Sequence, residues 1–217
     1  MSRSEGPPKP LPKPGRVQVF KATKSYIAKN EQELSISEGQ IVFAPDSTVK
    51  KDYVSATVDG IKGLIPRDIL TSENVEMVKF PLNEAAKRGN LQFFQNCLDN
   101  GVSPNALDKS GSTPLYWASH SGNYEIVKLL LARGNVDLNN RNKLGDTCLH
   151  ACVWKNHGDI VEMLVEAGAD VHIKNNDNLK PIDLAKDQQI AAFLLLFMNK
   201  KAEKAEIDEV ASSDEDC

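Results

Sequence analysis

The densest group of chemically versatile side chains in this 217-residue sequence is Cys148, His150, Cys152 and His157. Thiolate and imidazole are the ligands zinc prefers, and four of them complete a tetrahedral site. Cys148 and Cys152 stand four residues apart, so one helix face could present both. A cysteine beside a histidine is also the start of a nucleophile and its base. The surroundings argue against both chemistries. Cys148 and Cys152 fall inside a recurring pattern, where they take the places of a proline and of a small, tightly packed residue. His150 is that pattern's own histidine, which fixes a turn through backbone hydrogen bonds. No glycine loop offers amides to an oxyanion, and no G-x-x-x-x-G-K-[ST] or Rossmann fingerprint offers a phosphate cradle. Close-set carboxylates occur only in the C-terminal tail, where no framework holds them. The expectation is a non-enzyme without metal or cofactor, zinc at the four side chains being the alternative.

The pattern itself is a repeat. Ser112-Thr113-Pro114-Leu115-Tyr116-Trp117-Ala118, Asp146-Thr147-Cys148-Leu149-His150-Ala151-Cys152 and Leu179-Lys180-Pro181-Ile182-Asp183-Leu184-Ala185 recur at steps of 34 and 33 residues. Phe80-Pro81-Leu82-Asn83-Glu84-Ala85 is a blurrier copy 33 residues upstream. A period near 33 headed by T-P-L-H-x-A is the ankyrin signature. It predicts units at about 80–112, 113–146, 147–179 and 180–199, each a turn, a short inner helix and a longer outer helix. In the second unit Thr113 or Ser112 caps an inner helix with Pro114 in its first turn, and Gly122 ends it. Asn156 stands where the other units have Gly89 and Gly122, and asparagine tolerates a left-handed backbone. The last unit ends in an apolar run, 190–198, whose Leu195, Leu196 and Phe197 cover most of a helix circumference. Either it docks deeply on the third unit or it meets a partner.

In this register Lys87, His120 and Trp154 are equivalent positions on the concave inner-helix face, where ankyrin repeats bind proteins. Tyr116, Trp117 and Lys155 adjoin them, with Arg88 close by, and exposed aromatics among cations make a binding hot spot. Burial of both tryptophans between units is the alternative. Arg141 and Lys143, with Asp108, Lys109, Asn175 and Asp177, fall at the tips of the turns.

Residues 17–70 read as short strands separated by Glu38-Gly39, Pro45-Asp46 and Asp59-Gly60, which describes a small β-barrel. Residues 71–79 read as a linker. Residues 1–16 are Pro- and Lys-rich and carry Arg3, Lys9, Lys13 and Arg16 against Glu5; they read as a disordered leader. Pro7 and Pro10 make a P-x-x-P spacing, so an SH3 domain could bind residues 7–14. Residues 200–217 read as a disordered acidic tail, in which Ser212 and Ser213 each precede an acid by three residues, the pattern acid-directed kinases accept. A net charge of −4 gives nucleic acid and membranes little to hold. The N-terminus has no apolar core of a signal peptide, and the nine-residue apolar run is about half of the roughly 20 residues a membrane span needs. Four cysteines without framework spacing fit a reducing, cytoplasmic setting.

The barrel segment resembles an SH3 domain. Ala22-Thr23-Lys24-Ser25-Tyr26 stands for the A-L-Y-D-Y strand, Glu33-Leu34-Ser35-Ile36-Ser37-Glu38-Gly39-Gln40 for E-L-S-F-x-x-G-D, and Gly63-Leu64-Ile65-Pro66 for the G-x-x-P strand. The resemblance implies a groove of aromatic slots for polyproline peptides. That groove departs from the family: Lys24 replaces one slot tyrosine, Tyr53 the groove tryptophan and Ile69 the last tyrosine. Tyr26 and Pro66 are kept, and Glu31 and Glu33 remain to meet a ligand's cation. An SH3 barrel followed by ankyrin repeats and an acidic tail resembles the osteoclast-stimulating factor family. The fold class expected is therefore a small all-β SH3-like barrel followed by an all-α ankyrin solenoid. The resemblance implies a cytoplasmic signalling adaptor without catalytic activity; the expectation is a monomer that binds other proteins, with proline-rich peptides bound weakly if at all. A regulator that caps a partner enzyme through the ankyrin face is the alternative.

Overall fold

The computed structural model describes residues 17–45 and 52–199. The leader with its 7–14 segment, and the tail with Ser212 and Ser213, lie outside the described residues. Contacts divide the chain into two compact units, with the boundary between Lys79 and Phe80.

The first unit is an antiparallel sheet of five strands: β1 (Val17–Ala22), β2 (Ile41–Pro45), β3 (Tyr53–Val58), β4 (Ile61–Pro66) and β5 (Val75–Met77), in the order β4-β3-β2-β1-β5. In β3, Val54, Ala56 and Val58 are buried while Tyr53 and Ser55 face out. That period of two is what a half-buried strand requires. β3 and β4 are joined at Asp59 and Gly60, whose φ angles of +49° and +81° suit a tight hairpin turn. The excursion between β1 and β2 is tied at two points, Tyr26 to Ile36 and Glu33 to Leu64. Phe20, Ala22, Ile36, Val42, Val54 and Ile65 lead the core, and Ile69 packs against it. The arrangement is SH3-like.

Residues 71–79, expected to be a linker, instead complete this sheet. Val75–Met77 pairs with β1, placing Val75 opposite Ala22 and Met77 opposite Phe20, and Val75 enters the core. Three residues are too few to show a strand's alternation in sequence; the open edge of β1 is what makes them one.

The second unit alternates inner helices α1 (Pro81–Arg88), α3 (Pro114–Ser121) and α5 (Cys148–Trp154) with outer helices α2 (Leu91–Asp99), α4 (Tyr124–Arg133) and α6 (Gly158–Glu166). A 3-10 turn, Pro181–Leu184, and a last helix α7 (188–199) follow. The inner helices pack in series, α1 on α3 on α5, and α5 on the 3-10 turn. Leu82, Leu115 and Leu149 are fully buried at equivalent positions, as are Cys97, Leu130 and Leu164 on the outer row. In α7, Ile190 and Leu194 face inward, while Leu195 and Leu196 stay 52% and 63% exposed. The last unit thus docks with one face and leaves the other open.

Two inner helices also tie themselves, each with a buried polar side chain, to the turn that leads into the next unit. Asn83 Nδ2 donates to the Ser112 carbonyl at 2.8 Å. Its counterpart His150, 1% exposed, contacts the Leu179 carbonyl through Nε2 at 3.1 Å. A carbonyl only accepts, so Nε2 carries the proton and Nδ1 accepts the Thr147 amide at 3.2 Å. Burial holds the His150 pKa below its ordinary value, which favours this neutral form. Asn123 reaches back to the Ala86 carbonyl at 2.6 Å, and His157 to the His120 carbonyl at 3.3 Å. The His157 ring lies so close to Gly122 that a Cβ there would come within 2.7 Å of it, and Gly122 is left-handed besides, at φ +73°. Asn156 takes φ +65° where a glycine would be usual.

His150→Ala should destabilise the stack by about 2–4 kcal/mol, because it leaves a cavity and removes the ring's two links, to the Leu179 carbonyl and the Thr147 amide. His150→Asn should cost less, since Asn83 makes the same bond from the same position. The depressed pKa means the unfolded chain takes the proton first, so stability falls as pH drops below about 6.5. That slope should shrink in His150→Asn. Urea denaturation at several pH values measures all three, and equal midpoints for the Ala variant and the parent would refute the link.

Candidate protein-interaction face

Small side chains on the inner helices set the stage. Ala85, Ala118 and Cys152 are buried against neighbouring helices, so the positions two residues on, Lys87, His120 and Trp154, come out on the opposite side. There the side chains of four units touch. Lys87 Nζ lies 4.7 Å over the Trp117 ring. Trp117 meets His120 edge-on at 5.5 Å, and His120 meets Trp154 at 6.0 Å. Lys155 Nζ sits 4.4 Å and Lys186 Nζ 5.5 Å from the Trp154 ring centre. Tyr116 closes the inner flank, edge-on to Trp117 at 5.5 Å and stacked on His120 at 6.2 Å. The result is a ladder of aromatic rings with a cation at each end.

The two tryptophans differ. Trp154 is 46% exposed. Trp117 is half-buried and anchored, its indole N–H donating to Asp108 Oδ2 at 2.7 Å. Burial raises the Asp108 pKa, but hydrogen bonds from Ser110, Trp117 and the Ser112 amide outweigh it and bring the carboxyl below its usual range. Burial, reinforced by Lys155, His157 and Lys87, holds His120 below the ordinary histidine value. A neutral ring therefore sits between two cations at neutral pH. Tyr116 is half-buried, and burial leads in raising its pKa above the ordinary tyrosine value.

At the turn tips, Arg141 is a strut more than a free cation: its guanidinium donates to the Gly145 carbonyl and to Asn176 Oδ1, both at 3.3 Å. Lys143 is exposed, with its backbone held between turns by Ser110 and Asn176. Arg88 pairs with Glu84 at 3.4 Å on an exposed helix face, an arrangement worth little. Sequence reasoning missed Lys186, which belongs to no helix and reaches Trp154 only because a 3-10 turn precedes it. It also placed Asp108 among solvated tips, although its nine-residue spacing from Trp117 brings the two together.

The cysteines and histidines that opened the sequence are each occupied. Cys148 Sγ donates to the Leu138 carbonyl at 3.1 Å and Cys152 Sγ to the Leu149 carbonyl at 3.3 Å. Burial pushes Cys148 up to about 12 and Cys152 well above its ordinary value, so both are thiols. Among the described residues no cluster of three or more His, Cys, Asp or Glu is placed to hold a metal.

In the barrel, Glu33 is turned inward and only 8% exposed. Its carboxylate accepts from Tyr26 at 2.6 Å, Tyr53 at 3.1 Å, the Asn30 amide at 2.6 Å and the Lys29 backbone at 2.8 Å. The Tyr26 bond leads in lowering the Glu33 pKa. Reciprocally, the bond to Glu33 pushes Tyr26 up to about 12 and raises Tyr53. Both groove tyrosines thus donate inward. Glu31 is exposed and lines a shallow pocket with Asn30, Gln32, Tyr53 and Leu64. Pro66 ends β4 opposite Tyr53. Lys24 is exposed, and Ile69 is spent on the core.

Among the described residues no helix is long and apolar enough to cross a membrane. A model of ankyrin repeats in three copies matches residues 82–175, the stretch that carries the ladder from Lys87 to Lys155. Osteoclast-stimulating factor 1 of Bos taurus is 42% identical to this chain over 191 residues, covering 88% of each protein. The Gallus gallus protein is 44% identical, covering 88% of this chain and 93% of its own length. That of Danio rerio is 44% identical over 88% of both. With barrel and repeats matched together at this identity, the chain belongs to the osteoclast-stimulating factor family.

Proposed function

We propose that the protein is a non-catalytic cytoplasmic adaptor in signalling, and that its working surface is the ladder on the inner helices. The observation that carries this reading is the exposed Trp154, flanked by Lys155 and Lys186 and in ring contact with the half-buried His120, on a ladder continuous across four repeat units. Exposed tryptophan ringed by half-buried neighbours is the usual anatomy of a binding hot spot. The barrel then serves as a weak or redirected module. A proline peptide needs aromatic slots and hydroxyl donors, and here Glu33 already holds the hydroxyls of Tyr26 and Tyr53.

Two experiments test the reading. Proximity labelling with Trp154→Ala/Lys155→Ala should lose partners that Tyr26→Phe/Tyr53→Phe keeps, with a loss of about tenfold or more in capture. Partners that survive the first pair and vanish with the second would move the working surface to the barrel. For the groove, titration of the 217-residue chain with PxxP peptides should give no micromolar binding, and micromolar binding would overturn its weakening.

Glu33 also carries a pH prediction. Its folded pKa lies below the unfolded one, so its contribution to the barrel is complete above about pH 5 and is lost as pH falls through the folded value. Glu33→Gln should therefore speed amide exchange in β3 and β4 at neutral pH. The gap from the parent should close below about pH 4.

A further inference from the structure

We infer that the ladder is a seat for the chain's own acidic C-terminal segment, residues 206–216. The inference goes beyond the adaptor reading and does not need it, since it concerns one chain alone.

The ladder is positive at both ends and unpaired. Lys87 stands at one end, Lys155 and Lys186 at the other, and no carboxylate among the described residues forms a salt bridge with any of them. Between them run Trp117, His120 and Trp154 in steps of 5.5 and 6.0 Å. From Lys87 to Lys186 the path is about 20 Å, the length of roughly six extended residues at ~3.3 Å each. The tail has a matching pattern. Glu206, Asp208 and Glu209 form one acidic group and Asp214, Glu215 and Asp216 another. Asp208 and Asp214 are six residues apart, and the uncharged Val210-Ala211-Ser212-Ser213 lies between the groups. One group fits the Lys155 and Lys186 end, the other fits Lys87, and the small side chains cross the rings.

The tether allows it. Lys186 lies just before α7, which ends at 199. A helix of that length spans about 18 Å, and seven extended residues, 200–206, reach about 23 Å, enough to come back. A short tether also raises the local concentration to the millimolar range, so a contact that is weak between separate molecules is populated here. Exposed ion pairs contribute little singly and are screened by salt, so the seat is reversible. A partner using the same rings must displace the tail. Phosphate on Ser212 or Ser213 would add roughly −1.5 to −2 charges at the centre of the segment and tighten the seat.

Trp117 and Trp154 are the only two tryptophans of the sequence, so intrinsic tryptophan fluorescence reports on the ladder alone. The test compares the parent with a variant carrying amides at Glu206, Asp208, Glu209, Asp214, Glu215 and Asp216. At low salt, acrylamide should quench the variant about twofold more strongly, the tail no longer covering the rings. About 0.5 M NaCl, which shortens the screening length to roughly 4 Å, should bring the parent up to the variant. Amides at the exposed Glu125 and Glu162 of the outer helices should change nothing. Equal quenching of parent and tail variant at low salt overturns the inference. A synthetic peptide of residues 200–217 should bind the tail variant about tenfold more tightly than the parent, where the tail competes. Lys155→Gln/Lys186→Gln should abolish that binding. Equal binding to parent and variant would mean the ladder stands open to a separate acidic protein, and no binding to either would mean it does not take acidic segments. Both results refute the self-seat.

Discussion

The ankyrin unit of this chain depends on one constraint: no repeat can bury its apolar face alone. Leu82, Leu115 and Leu149 are dry only because the next unit covers them. Polar links add to this. The carbonyls of Ser112 and Leu179 accept the backbone amides of Asp108 and Asn175 and also the side chains of Asn83 and His150. Away from that carbonyl the buried ring N–H of His150 would lose its partner, so the links fix the spacing of the units as much as they hold them together. The ladder follows from that spacing. His120 and Trp154 meet at 6.0 Å because α3 and α5 are held in register from beneath.

Much of this was legible in sequence because it is periodic. A 33-residue step with Thr-Pro and a glycine at fixed offsets predicts helix starts and ends without any tertiary knowledge, and α3 runs over Pro114–Ser121 as that pattern implies. Positions equivalent to Lys87, His120 and Trp154 could be set on one face by counting. Non-periodic features were hidden. β5 has three residues and exists because β1 has an open edge. Lys186 reaches Trp154 through a 3-10 turn that replaces a full inner helix. The inward rotation of Glu33 is a four-donor agreement among residues from 26 to 53, and no local pattern announces it.

Barrel and stack use the same materials in opposite senses. In each, aromatic rings stand beside charges. In the barrel the charge is a carboxylate enclosed by two hydroxyls, and the hydrogen bonds that stabilise it remove those donors from the surface. In the stack the charges are lysine ammoniums over ring faces. Enclosed charge stabilises a fold and exposed charge recruits, which under the proposed function shifts the balance of recognition from groove to ladder.

His120 gives that shift an electrostatic measure. Its pKa is held down first by burial and then by Lys155, His157 and Lys87, which means the cations at both ends act on the middle of the ladder. The lysines that lower the proton affinity of that ring also attract anions to the ladder. An acidic occupant laid across the ladder would cancel the lysines' field and let the histidine pKa rise. By linkage, the same occupant must then bind more tightly as the pH falls, so long as its own carboxylates stay ionised. Proton and acidic segment are cooperative ligands of one surface because Lys87 and Lys155 act on both.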